Sequence, residues 1–215
     1  MKNRLRLCAV AALTVLGAGG AVAADKPSWG EGANDAAFGA MLKSGFRARG
    51  IAGLSRLDQD ATQAFCSDPE RANSTEAAGA KARIEAENMA TIKWPADGKW
   101  LGDWKAGEKL AQSGRGLTWS DKADVPNGAN CYNCHQLSSK EIAFGTIGPS
   151  LHHYAKVNGA DDKALRYAWG HIYNANAYNA CSTMPRGGYK GILTEQQMQD
   201  LMALLFDPES PVNKD

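Results

Sequence analysis

Cys131, Cys134 and His135 stand in the run CYNCH, and their types and spacing admit three chemistries. A C-x-x-C-H pentad is the attachment signal for a c-type haem: each thiol adds to a vinyl group of the ring, and the adjoining imidazole turns onto the iron. A structural zinc needs four ligands, usually as two pairs. The chain holds no second C-x-x-C and no H-x3–5-H, since His152 and His153 are adjacent. A dithiol redox centre expects a βαβ pattern around it, and neither flank carries a strong strand run. The pattern favours one covalently bound haem c, held through Cys131 and Cys134, with His135 as one axial ligand.

The other axial position has eight candidates: Met41, Met89, Met184, Met198, Met202, His152, His153 and His171. Met198 and Met202 are four apart in a helical run and read as core packing. Met41 and Met89 lie far upstream of the pentad, and His171 falls inside a helical stretch. Met184 stands in the loop STMPRGG, fixed on one side by Pro185, where a thioether can reach the iron from the far side of a ring. Met184 is the preferred ligand, with His152, His153 or His171 as the alternative. Thioether ligation gives a higher potential than two imidazoles. A ligating imidazole donates its other N–H to a carbonyl or carboxylate. The turn Gly148-Pro149 offers such a carbonyl, although spacing alone reads equally well as a plain turn.

The remaining cysteines and the N-terminus bear on compartment. Residues 1–24 combine a basic start (Lys2, Arg4, Arg6), an apolar middle and the small residues Ala21-Val22-Ala23-Ala24. That is the pattern of a cleaved secretory signal, with cleavage after Ala23 or Ala24. Cys8, close to Arg6 and near the start, does not resemble a lipid-attachment cysteine. Removal of the three basic residues drops the 24 basic residues just below the 23 acidic ones. No run is basic enough for nucleic acid, and electrostatic steering is weak. Export to an oxidising compartment leaves Cys66 and Cys181 as an even pair. A Cys66–Cys181 disulfide is expected, closing a loop worth about 4–5 kcal/mol in the chain-entropy model.

The elements that must position these groups are mainly helical. Residues 25–96 read as a helical N-terminal extension. In it, DAAFGAMLKSGF places Phe38, Met41, Leu42 and Phe46 near one face. A short helix is expected to stop before Pro69. The Ala/Glu/Lys-rich STEAAGAKARIEAENMATIKW forms another helix, capped by Ser74 or Thr75. A break at Trp94-Pro95 marks a soft boundary. Residues 97–215 form the second segment, in the order helix, pentad, Gly-Pro loop, helix, Met loop, helix. The first of these helices carries Trp104, Gly107, Leu110 and Ala111. The second carries Leu165, Ala168, Trp169 and Ile172. The third carries Leu201, Met202, Leu204 and Leu205, with a Thr194/Gln197 capping box.

The runs CYNCHQL, GTIGPSL, LDQDATQAFCS and MPRGGYKGILTEQQMQDLMALLFDPESPVN resemble the SoxX family, the small cytochrome subunits of the SoxAX sulfur-oxidation complex. The resemblance covers most of the chain after the signal and is most specific in the C-terminal run. It departs from the family at Arg186-Gly187-Gly188, where Arg-Phe-Gly is more usual. The resemblance implies a class I cytochrome c-like haem domain, with His135 and Met184 as axial ligands and the Pro149 carbonyl orienting His135. It implies a SoxA-like c-type cytochrome as heterodimer partner, carrying the catalytic haem. Transient contacts to a SoxYZ-like carrier and a soluble electron acceptor follow. The chain would then be the non-catalytic, electron-transfer subunit of an L-cysteine S-thiosulfotransferase in the periplasm, with no nucleic acid bound and no membrane attachment after signal removal.

Two other readings compete: a free periplasmic monohaem shuttle not tied to sulfur oxidation, and a non-haem domain with a redox C-x-x-C. A shuttle needs little beyond its haem domain, whereas the extension suggests a permanent interface. No acid, base or nucleophile stands out; Glu141, Asp161 and Asp162 read as solvated charges, the last two near a helix start.

Overall fold

The computed structural model describes residues 35–214, so the signal-peptide reading of residues 1–24 lies outside the described residues. Among the described residues eight α-helices follow in order: α1 (Asp35–Gly45), α2 (Ala61–Ser67), α3 (Pro69–Ala72), α4 (Ala77–Ala90), α5 (Trp104–Gln112), α6 (Tyr154–Asn158), α7 (Asp162–Asn174) and α8 (Glu195–Phe206). Among the described residues there is no strand, and β pairing is limited to one isolated bridge between Arg49 and Ala52.

The expected helices form, with local differences that have physical reasons. Helix α2 stops at Ser67, but Pro69 does not end the helical region; it opens α3. Proline is tolerated at the first helical position because that N–H has no intrahelical partner, and Asp68 caps the turn by accepting from the N–H groups of Glu70 and Arg71. Helix α4 begins at Ala77 without a side-chain cap. The Ser74 hydroxyl instead donates backwards to the Arg71 carbonyl (2.9 Å). Phe38, Met41 and Phe46 are exposed, so the apolar face of α1 does not contribute to the core.

The core lies where α5 and α8 cross. On α8, Leu201, Met202, Leu204 and Leu205 are all buried, and the Thr194/Gln197 capping box is made in both directions. The crossing is close because Gly107 has no side chain: a Cβ there would meet the Asp200 backbone and the Leu204 side chain. The approach is fixed by Gly102 N–H donating to Gln199 O, Asp103 N–H to the Asp200 carboxylate, and Gln199 Nε2 to Lys99 O, each 2.9 Å. Helix α7 adds Trp169, 1% exposed, whose Nε1–H donates to Lys93 O (2.9 Å) and whose ring meets Trp100 edge-on at 5.8 Å.

The extension and the second segment share this core. Ile92 is buried in it and Trp94 packs against it. Helix α4 is joined to the end of α7 by buried amides: Asn174 Nδ2 donates to Asn88 Oδ1 (2.9 Å) and Thr91 Oγ1 (3.0 Å). The tail after α8 turns back, and Val212 O accepts from His153 N–H (2.7 Å).

Candidate haem-attachment site

The pentad is built on the end of α5. Ala129 N–H donates to Leu110 O (3.0 Å) and Asn130 N–H to Ser113 O (3.1 Å), which brings the loop back across the helix terminus. Asn130 then takes left-handed backbone angles, φ 53° and ψ 35°, a conformation that Asn tolerates better than most residues. Its reversal starts a single 3-10 turn over Cys131–Asn133. Cys134 and His135 N–H both donate to Cys131 O, at 3.1 and 2.9 Å. Cys131, Cys134 and His135 are therefore displayed from one tight turn.

The segment after the pentad runs back beside it. Gly145 N–H donates to Tyr132 O (3.0 Å), Gly148 N–H to Cys134 O (2.8 Å) and Leu151 N–H to Gln136 O (2.7 Å). This places the Pro149 carbonyl 2.7 Å from His135 Nδ1. A carbonyl only accepts, so Nδ1 carries the proton and Nε2 keeps the lone pair a metal needs. Gly148 makes the approach possible: a Cβ at that position would occupy the His135 ring.

Glu141, expected to be a solvated charge, closes this turn. Its carboxylate accepts from the N–H groups of Leu137 (3.1 Å) and Ser138 (3.2 Å). Leu137 is buried, so these N–H groups need a partner from within the chain. The local signal was an acidic residue three positions after Ser138.

The thiol chemistry separates two of the three readings. Cys131 and Cys134 are not bonded to one another. Burial pushes the Cys131 thiol up to about 12, the neighbouring Cys134 adding to the rise. Redox C-x-x-C pairs depend on a lowered thiol pKa, so this environment is the reverse of a dithiol catalyst. No group of three or more His, Cys, Asp or Glu able to hold a metal ion occurs among the described residues.

The Met184 loop is held on both sides of Met184. Met184 is half-buried and, like Cys131 and Tyr132, packs against the core. Before it, Cys181 is bonded to Cys66 across 115 positions, with Cα atoms 5.4 Å apart. After it, Arg186 is 7% exposed and ion-paired to Asp60, whose carboxylate also accepts from Lys190 Nζ at 2.9 Å. Burial opposes the charge on Asp60, but the Gln63 N–H and the Arg186 and Lys190 cations outweigh it and hold the carboxyl below its usual value. Asp60 and Gln63 form a capping box legible in the sequence; the pairing with Arg186, 126 positions away, left no local signal.

The alternative ligands have other surroundings. His171 packs against Tyr167 and Tyr178, its ring 4.2 Å from each, with Nδ1 3.0 Å from Tyr167 O. His152 and His153 stack on each other at 3.8 Å. Met198 and Met202 are buried in α8, and Met41 and Met89 are exposed.

The donor set fits a covalently bound haem: two unbridged thiols and an Nε2 lone pair on one turn, the imidazole already oriented from its far side. Cys131 and Cys134 would hold the ring, and the iron would supply one-electron chemistry. Comparison with known proteins agrees. Residues 105–206 match the cytochrome c family. An uncharacterized lipoprotein of Aquifex aeolicus (strain VF5) is 41% identical over 158 residues, which span 73% of this chain and 73% of that protein. This chain belongs to the family of that Aquifex protein and is a c-type cytochrome, with a mainly helical cytochrome c domain over residues 105–206 that binds haem c covalently and serves electron transfer.

Proposed function

We propose that this cytochrome is the electron-transfer subunit of a periplasmic enzyme that joins thiosulfate to a cysteine on a SoxYZ-like carrier. In that reaction a sulfur–sulfur bond forms between the carrier thiol and thiosulfate, releasing one proton and two electrons. The chemistry takes place on a SoxA-like cytochrome partner. This chain takes the electrons singly and passes them to a soluble acceptor, so it is a subunit of an L-cysteine S-thiosulfotransferase and not its catalyst. In this reading His135 and Met184 are the axial ligands and the Pro149 carbonyl orients His135. Met184 stands half-buried in a loop pinned on both sides, which supports its assignment as a ligand. The description of the Aquifex relative as a lipoprotein supports export.

The observation that carries the reading is the covalent bridge from Cys66 in the extension to Cys181, three residues before Met184. A free shuttle has no use for an extension locked to its ligand loop, whereas a subunit with a permanent interface does. The loop after the pentad adds support. Ile142 is fully exposed and Ile147 is 77% exposed, with Phe144 between them also exposed. Apolar groups clustered in this way beside a redox site suit a protein partner.

The test is a gentle pull-down of this chain from the periplasm of its own host, followed by a haem-stained gel. A stoichiometric second haem-bearing band, and reduction by thiosulfate only when the carrier is present, are expected. A lone band reduced by unrelated donors would leave the shuttle reading instead.

A further inference from the structure

We propose that Asp60 is a positioning residue for the Met184 loop, holding it closed by neutralising the buried guanidinium of Arg186. The inference rests on the reading of Met184 as the sixth ligand and adds what keeps that ligand in place.

Two points flank Met184, and both belong to α2. Cys181, three residues before it, is bonded to Cys66 in that helix. Arg186, two residues after it, is paired to Asp60 at the start of that helix. A disulfide alone is a single tether, about which a loop can still swing. The second attachment removes that freedom. The Asp60 carboxylate is itself fixed, because Oδ1 accepts from Gln63 N–H (2.9 Å) as the cap of α2 while Oδ2 faces Arg186 and Lys190.

Burial gives the pair its leverage. Arg186 is 7% exposed and also lies over the Tyr189 ring at 4.9 Å. A buried charge that loses its partner is strongly destabilising, much more so than an exposed pair. Without the Asp60 charge, Arg186 gains by moving into water, and Met184 is only two residues away. The backbone beside Arg186 is otherwise held to the end of α7, with Gly187 N–H on Ile172 O (3.1 Å) and Tyr189 N–H on Tyr173 O (3.0 Å). Both bonds lie after Met184, so they do not hold the Met184 side of the loop once Arg186 leaves.

The test uses the full, haem-loaded chain and imidazole as an added ligand that must displace the sixth ligand. Apparent affinity scales with the open fraction of the loop. Asp60→Asn removes the charge but keeps a good helix cap, and Asp60→Ser serves if the first variant matures poorly. The expected result is imidazole binding about tenfold tighter in Asp60→Asn, an effect of the size associated with an unpaired buried charge. In an Arg186→Gln background, where no buried cation remains, Asp60→Asn is expected to add nothing. Asn213→Ala, which removes the bonds of the C-terminal tail to Leu205 O and Asp207 O, is expected to leave imidazole affinity unchanged. Met184→Ala is expected to bind imidazole most tightly of all, whatever stands at position 60. Asp60→Asn with unchanged affinity, or with no more effect than Asn213→Ala, overturns the positioning role alone. Met184→Ala binding no tighter than the parent protein overturns the ligand reading, and the positioning role with it.

Discussion

His135 Nδ1 donates to the Pro149 carbonyl at 2.7 Å, across a gap that only the absence of a side chain at Gly148 leaves open. That bond fixes the tautomer and the ring plane of the imidazole before any metal arrives. Gly148→Ala is therefore expected to displace the ring and reduce the yield of haem-loaded protein severely, read on a haem-stained gel against total protein. Gly39→Ala is the matched control. Nothing lies within 4 Å of a Cβ at Gly39, in α1, and the exchange is expected to be neutral or to stabilise by up to about 1 kcal/mol. Equal haem yield in both variants would remove Gly148 from the account of the site.

The bridge from Cys66 to Cys181 predicts a thiol count. With Cys131 and Cys134 bound to haem, the mature protein denatured without reductant is expected to show no free thiol. Replacing both bridging cysteines with alanine is expected to cost about 2–5 kcal/mol, the usual range for loss of a native disulfide, measured by denaturant unfolding of the oxidised protein. Two free thiols in the parent protein would contradict the bridge.

Much of this was legible because it was written locally. The pentad, the Thr194/Gln197 capping box and the apolar stripes of α7 and α8 depend on residues within a few positions of one another, and each forms as its spacing implies. The cysteine pairing was legible by elimination among few members of one type. What the sequence did not disclose depends on a distant partner or on a turn that forms only with the fold. The Asp60–Arg186 pair spans 126 positions and has no periodic or compositional trace. Glu141 looked solvated because its acceptors' role is set by a turn that exists only once the pentad has folded. Ser74 was a reasonable cap for α4 until the α3 turn offered its hydroxyl the Arg71 carbonyl.

Glu141 gives a third expectation. Glu141→Ala leaves the N–H groups of Leu137 and Ser138 without their carboxylate. Removing an acceptor from enclosed donors costs about 1–3 kcal/mol. The loss is expected in denaturant unfolding of the haem-loaded protein, while Asp162→Ala on the exposed side of α7 is expected to change stability by no more than about 0.5 kcal/mol. Equal effects would return Glu141 to the class of solvated charges.

His171 predicts a pH dependence whose sign follows from its surroundings. Burial lowers its pKa from the ordinary 6.5, and the hydrogen bond to Tyr167 O offsets this only in part. The unfolded chain therefore takes up a proton as pH falls through about 6.5, while the folded chain takes it up only at lower pH. Between those two points the unfolded state binds more protons, so stability falls as pH falls. Above 6.5 both states are neutral at this position and the contribution is flat. His171→Phe keeps a ring in the cluster with Tyr167 and Tyr178 but removes the titration. The stability of the parent protein relative to this variant is expected to be constant from pH 8 to about 7 and to decline below 6.5. Denaturant midpoints of the two proteins, measured at half-unit pH steps, check it. A difference that stays level down to pH 5, or that grows in favour of the parent protein, would show that the imidazole packed against the two tyrosines is not held in its neutral form.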